Sequence, residues 1–387
     1  MFFAILTTLN AKVNTMNKLA ILFALFFAFH VSAQDHPNPV TLEPGAKAID
    51  FNLKGVDGKM YSLSSFKDAK VLVFIFSAPH CPTAQAYEDR IISLQNDYDK
   101  KGVQVVKINP NDPKAVCLEE MGYSDLGDSF DDMVIRANDK GYNFPFLYDG
   151  DTEEMSIAYG PVATPHAYVF DENRILRYVG RIDDNEKIGA AKQHDLRNAI
   201  EAVLDGKEPP VNQTKVFGCS VKWKWKNDWR KKLDADWAKK EVPLENLSVE
   251  GLKELVKNDS EKLRLINVWA TWCGPCIAEF DELVDTYRMY MGRDFEMYTI
   301  STDKLNIKNK VQEFLEKKEA AIDNNFIFES DNRYDLIENL DEKWQGEIPY
   351  TIIVEPGGKI IHRSSGGIKF LELRKAIVEH PMIGRYF

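Results

Sequence analysis

Val71 to Phe76 is apolar without a break, and Leu263 to Ala270 is apolar except at Arg264 and Asn267. Runs of this length are short for helices and suit strands buried on both faces. Around the first run, Ala48-Ile49-Asp50-Phe51-Asn52-Leu53 and Met60-Tyr61-Ser62-Leu63 flank Asp57-Gly58, which predicts a hairpin. Further strands are predicted at Val103 to Ile108, His166 to Phe170 and Ile175 to Val179, then at Tyr350 to Val354 and Lys359 to His362. Helical patterning covers the stretch ending near Asp99, Asp128 to Lys140, Thr152 to Tyr159 and Val249 to Val256. Trp225, Trp229, Leu233 and Trp237 recur every four residues among lysines and arginine, predicting one apolar stripe of a helix.

The two apolar runs head an internal repeat. Laid on each other, Ala78 falls on Ala270, His80 on Trp272, Cys81 on Cys273 and Ala84 on Cys276. Downstream, Ala163-Thr164-Pro165 precedes one strand and Glu347-Ile348-Pro349 precedes its counterpart. Proline before a core strand needs a reason, because it cannot donate to a ladder.

A length of 387 residues also exceeds one small core and suggests two. The expected divisions are a signal peptide at 1–33 (with Met16 as an alternative start), a leader at 34–43 and a first domain at 44–204. A linker with a Trp/Lys-rich helix at 205–243 and a second domain at 244–387 complete the chain. Within the first segment, Met16-Asn17-Lys18 leads an apolar core from Leu19 to Phe29, and Val31-Ser32-Ala33 is a small-residue cleavage pattern. That core would rise only ~16 Å as a helix, about half a bilayer core. An exported, periplasmic or extracytoplasmic protein, soluble after cleavage, is therefore expected. The alternative is an uncleaved N-terminal membrane anchor.

Charge and cysteine usage narrow the chemistry. With 49 Lys plus Arg against 60 Asp plus Glu, nucleic acid is not an expected partner. Five cysteines (Cys81, Cys117, Cys219, Cys273, Cys276) are too few for a disulfide scaffold and point to redox chemistry at particular positions. Cys273-Gly274-Pro275-Cys276 stands where a strand ends and a helix should begin. There one thiolate can attack a disulfide and the other, one turn on, can resolve the mixed disulfide. An ordinary thiol is only about 3% ionised at pH 7, whereas one lowered to about 7 by a helix N-terminus is roughly half ionised. No second Cys-x-x-Cys or paired His completes a zinc site, and no metal or organic cofactor is expected.

Trp272-Cys273-Gly274-Pro275-Cys276 after a strand resembles the active site of the thioredoxin superfamily. The resemblance implies an α/β chain of two thioredoxin-like domains in tandem, each a central mixed sheet flanked by helices. It also implies that Pro165 and Pro349 are cis and face the cysteines, with Thr164 and Ile348 offering backbone to a substrate peptide. Trp272 would cover the site. The second domain resembles exported proteins of the TlpA and ResA type: Asn267 replaces the buried acid of cytoplasmic thioredoxins, and Glu279 stands where that type carries its acid, implying a proton shuttle. The first domain resembles peroxiredoxin-like or redoxin proteins related to TlpA through Cys81-Pro82, Ala86-Tyr87-Glu88-Asp89-Arg90-Ile91, Asn109-Pro110-Asn111-Asp112, Gly180-Arg181-Ile182-Asp183-Asp184 and Gly218-Cys219-Ser220-Val221-Lys222-Trp223. Two thiols usual in that group are missing, at Ala78 and Ala163.

The expected function is protein dithiol–disulfide exchange: Cys273 attacks, Cys276 resolves and Glu279 moves a proton. Gly274-Pro275 favours a reductase, which in an oxidising compartment needs an electron donor such as a membrane thiol carrier. Partners are then protein thiols and disulfides. Cys81 has the nucleophile's place, but Ala84 cannot resolve it, so Cys117, Cys219 or another protein must, with Cys219 favoured by the resemblance. A thiol peroxidase in the first domain, or a client-binding first domain serving the second, are the alternatives. The peroxidase would want a hydroxyl where Ala78 stands and a proline where Phe74 stands.

Overall fold

Both apolar runs become central strands, and every residue of each is buried. The computed structural model describes residues 36–385, so the expected signal peptide lies outside the described residues.

The first sheet contains β1 (Leu53–Gly55), β2 (Met60–Tyr61), β3 (Val71–Phe76), β4 (Val103–Asn109) and β5 (Phe146–Tyr148), together with β7 (His166–Phe170) and β8 (Leu176–Gly180). Its order is β2-β1-β5-β4-β3-β7-β8. β3 runs parallel to β4 and antiparallel to β7. The expected hairpin is present as β1 and β2, shorter than its sequence pattern. Around this sheet lie α1 (Pro82–Ala86), α2 (Glu88–Tyr98), α3 (Phe130–Lys140), α4 (Glu154–Tyr159) and α5 (Asp195–Leu204). Outside it, β6 (Ala163–Thr164) pairs with β9 (Cys219–Ser220) in a two-stranded sheet.

The second sheet repeats the plan with β10 (Glu245–Leu247), β11 (Leu263–Trp269), β12 (Phe295–Ser301), β13 (Asn324–Phe328), β14 (Tyr350–Val354) and β15 (Ile360–Ser365), in the order β10-β13-β12-β11-β14-β15. β11 runs parallel to β12 and antiparallel to β14, the relation β3 has to β4 and β7. Its helices are α7 (Val249–Lys257), α8 (Gly274–Tyr290), α9 (Lys308–Lys317), α10 (Arg333–Leu340) and α11 (Phe370–Val378). Between the halves runs α6 (Asn227–Trp237). Both sheets have a thioredoxin-like layout.

The stretch expected to connect the halves does more than connect. The Val179 N–H donates to the Asn212 carbonyl, the Thr214 N–H donates to the Val179 carbonyl, and the Thr214 hydroxyl accepts from the Arg181 N–H, so this part lies along the β8 edge of the first sheet. On α6 the four-residue stripe splits. Trp237 is buried against Tyr287, while Trp229 is 56% exposed, and Trp225 stacks on Trp223 before the helix begins. Arg230 and Asp234, on the face of α6 that carries Trp237, meet the Val116 carbonyl and Arg288 at 2.7 Å each, and the four-residue step has drifted off that face by Trp229.

The two sheets share buried contacts. Helix α8 carries Cys276, Phe280, Leu283, Val284 and Tyr287 on its core face, and at its C-terminal end Thr286, Arg288, Met289 and Tyr290 are buried too. Burial there goes all round because the loop after β4 covers the outer face: Val116, Leu118 and Met121 join the same cluster as Phe280 and Leu283. Arg288 is held by Glu119 and Asp234 at 2.9 and 2.7 Å, and Tyr290 donates to the Ser124 carbonyl at 2.7 Å. Buried apolar contact of this kind couples the unfolding of both halves. Met121→Asp is expected to split a single calorimetric transition into two and lower the first; one unchanged transition would contradict the coupling.

Candidate functional site

Cys273 caps α8, and this placement defines the site in the second half. Its sulfur accepts the Cys276 N–H at 3.3 Å, Pro275 sits in the first turn where its missing N–H costs nothing, and the two cysteines form a disulfide. Helix N-termini favour negative charge, so a thiolate at Cys273 is stabilised by the dipole and by that N–H. The turn leading in is fixed by a residue sequence reasoning missed. Buried Asp303, just past β12, accepts from the Thr271 N–H and hydroxyl at 2.8 Å each and from the Ser301 hydroxyl. Asp303 carries no motif, and only the β11–β12 pairing brings it there.

Trp272 is 65% exposed and lines a small cleft of about 130 Å³ with Lys304, Leu305, Phe328 and Arg333. The Ile348–Pro349 bond is cis, and it leads directly into β14, the neighbour of β11. Ile348 itself belongs to no strand. Asn267, at the position of the expected strand acid, is buried and donates to the Thr351 hydroxyl at 2.9 Å, a neutral link between β11 and β14. Glu279 lies one turn past Cys276 on α8. Its Oε2 accepts the Ile368 N–H at 2.9 Å, while its buried Oε1 accepts nothing from the described residues. Burial pushes the Glu279 carboxyl above its ordinary value against the pull of that hydrogen bond, with Glu282 adding to the rise. A carboxyl so placed can hold a proton near the cysteines.

In the first half the corresponding turn is closed over. Cys81 caps α1, lies 3.4 Å from the Ala84 N–H and 3.1 Å from the Thr164 carbonyl, and is fully buried. The Thr164–Pro165 bond is also cis. The Cys219 side chain packs against Cys81, Ala78 and Ala84 and is only partly buried. Burial pushes the Cys81 thiol up, but the Cys219 hydrogen bond and the charge of His80 outweigh it and hold Cys81 down to about 6. Cys219 is driven the other way by its bond to Cys81 and by burial. The two neighbouring thiols are thus shifted apart, Cys81 toward the ionised form and Cys219 toward the protonated one.

His80 was visible in the sequence only as the counterpart of Trp272. Its Nδ1 meets Asp128 at 2.5 Å, and its backbone N–H donates to the same carboxylate at 2.9 Å. Burial works against the imidazolium, but the Asp128 charge and hydrogen bond prevail and raise the His80 pKa. Asp128 is in turn held by Asn111 at 2.7 Å. Deeper still, Lys107 is lowered to about 8 by burial, countered by Glu88. None of Asp128, Asn111 or Lys107 has a local signal beside Cys81, since each arrives from β4 or the loop after it. Cys117, the other thiol considered as a resolver, is buried and pushed up to about 11 by burial, with Glu120 adding to it. It lies in the loop after β4 and is not part of the group of Ala78, Ala84 and Cys219 around Cys81. Among the described residues no cluster of His, Cys, Asp and Glu is arranged to hold a metal ion.

The fold and the two capped cysteines define a tandem thioredoxin-like protein. Residues 44–179 and 242–363 both match the AhpC/TSA family, and the chain belongs to that family. Among curated proteins it is 28% identical over 153 residues to a Mycobacterium tuberculosis protein named "Putative peroxiredoxin", covering 39% of this chain and 85% of that one. It is also 28% identical over 120 residues to the thiol-disulfide oxidoreductase ResA of Bacillus thuringiensis, covering 30% of this chain and 63% of that one. An uncharacterised protein from Geobacillus kaustophilus, of known crystal structure, is 34% identical, with 48% of this chain and 95% of that one covered and a TM-score of 0.43.

The Glu279 shift has a definite sign. A carboxyl whose folded pKa lies above its unfolded value binds more protons in the native state, so the stability it contributes is full below the unfolded pKa and lost as pH rises through the folded one. Glu279→Gln is therefore expected to melt progressively higher relative to the wild type as pH is raised from 4 to 8. A melting difference independent of pH would contradict the burial of the charged form.

Proposed function

We propose that the protein is a thiol–disulfide oxidoreductase acting on protein disulfides through Cys273 and Cys276, and that it works as a reductase. The observation that carries this reading is the Cys273–Cys276 disulfide at the N-terminus of α8, where Cys273 receives the Cys276 N–H and the chain's cis Ile348–Pro349 bond enters the adjoining strand. In the reduced form the Cys273 thiolate attacks one sulfur of the substrate disulfide, forming a mixed disulfide and expelling the other sulfur as a thiolate. Cys276 then loses its proton, with Glu279 as acceptor, and attacks Cys273. The Cys273–Cys276 bond forms, the second substrate thiol leaves, and two electrons have passed to the substrate.

Trp272 and the unpaired backbone of Ile348 position the client peptide beside Pro349. Return to the dithiol needs an outside donor dithiol, for which a membrane thiol carrier suits an exported protein. The apolar leader Leu19 to Phe29 supports export. No helix among the described residues is long and apolar enough to cross a membrane. The division into a first domain at 44–204, a linker at 205–243 and a second domain at 244–387 is part of the same proposal.

Insulin reduction with dithiothreitol as electron source tests it. Cys273→Ser should lose activity by about 100-fold or more, because no second Cys-x-x-Cys in the sequence replaces the attacking thiolate. Cys276→Ser should accumulate a mixed disulfide on Cys273. Equal turnover by the wild type and Cys273→Ser, or turnover by neither, sinks the proposal.

A further inference from the structure

The two halves differ most at the residue before the cis proline. In the second half that residue, Ile348, lies in no strand. In the first half its counterpart Thr164 is paired antiparallel with Cys219, and Ala163 with Ser220. The approach is close enough that a Cβ on Gly218 would stand 2.1 Å from the Thr164 carbonyl oxygen, so only glycine fits there, at φ +139°. The next residues are tied down as well: Lys222 N–H donates to Asn111 at 2.8 Å, the Asp112 N–H donates to the Lys222 carbonyl at 2.9 Å, and Lys226 reaches the Val221 carbonyl at 2.7 Å. This pairing brings the Cys219 thiol against Cys81, in a pocket with Ala78 and Ala84. Cys81 is 0% exposed beneath it, whereas Cys219 keeps part of its surface.

We infer that Gly218–Ser220 is a built-in substrate strand, and that Cys81 and Cys219 form a second thiol–disulfide couple which outside thiols and disulfides reach through Cys219. The comparison with a substrate rests on the proposed role of the Ile348 edge; the couple itself does not. Oxidation by a small disulfide begins when the Cys219 thiol gives its proton to the Cys81 thiolate and attacks one sulfur, releasing one thiolate. Cys81 then passes that proton to the released thiolate and attacks Cys219, expelling the second thiolate. The Cys81–Cys219 bond forms, and two electrons reduce the small disulfide. In the return direction an outside thiolate attacks the accessible sulfur of Cys219, and Cys81 departs as a thiolate facing the His80–Asp128 pair. A sulfur of low proton affinity is the better leaving group, which fits Cys81 to the buried position.

The full chain, reduced and then exposed to oxidised glutathione, should yield a Cys81–Cys219 cross-linked peptide on non-reducing mapping. In Cys219→Ser the strand remains, so Cys81 should take up glutathione at least about tenfold more slowly than in the same protein unfolded in urea, where no local opening is needed. Adding Gly218→Val should push the strand off Thr164 and remove most of that protection. Buried Cys117 serves as the control: if it reacts too, that variant has unfolded, and the comparison of Cys219→Ser in buffer and in urea decides. Glutathione adducts without the cross-link overturn the couple, and unprotected Cys81 in Cys219→Ser overturns the covering strand. Loss of insulin reduction would touch neither result, because that reaction belongs to Cys273 and Cys276.

Discussion

The structure depends on a hard stop between a buried strand and a helix, built twice. β3 and β11 are buried along their whole length and flanked on both sides by paired strands, so neither can shift register without moving apolar residues out of the core. Each ends at a turn whose last residue before the helix is a cysteine, and in each the cysteine sulfur receives a backbone N–H three residues on. The sulfur is thereby held at the positive end of a helix by a fully buried strand paired on both sides. Rigid placement at a strand end serves chemistry better than placement on a loop.

From that common frame the halves diverge in what covers the sulfur. In the second half exposed Trp272 flanks Cys273, which keeps 5% of its surface, and one half-buried carboxyl, Glu279, stands a turn past Cys276. In the first half the same edge is occupied by the chain itself, and charge is handled internally by His80 and Asp128. A buried thiolate without compensation would be too costly. His80, whose pKa is raised beside Asp128, and the neighbouring Cys219 thiol favour the ionised form of Cys81, and Asp128 is held by Asn111 and the His80 backbone N–H.

The shared core around α8 adds a constraint on both. The loop carrying Val116, Leu118 and Met121 belongs to the first half but packs on the helix whose N-terminus bears Cys273. The same loop region supplies Asn111 and Asp112, which hold the segment following Cys219. One stretch of chain, residues 111–121, thus touches the supports of both cysteine sites.

Much of this was legible without coordinates. Strand burial, the cysteine pair, the two prolines and the repeat are local patterns, and local patterns report what neighbouring residues do within a few positions. Glu279 was legible for the same reason, being one helical turn from Cys276. Asp303, Asp128, Asn111 and the fate of the tryptophan stripe were not, since each depends on which distant segment arrives beside it. The sequence by itself determined two thioredoxin-like sheets and put a cysteine at the head of a helix in each. That Cys81 lies beneath the paired Thr164 and Cys219 while Ile348 joins no strand among the described residues came from the fold, because strand pairing between residues 55 apart is a contest of packing and glycine-permitted approach that no local pattern records.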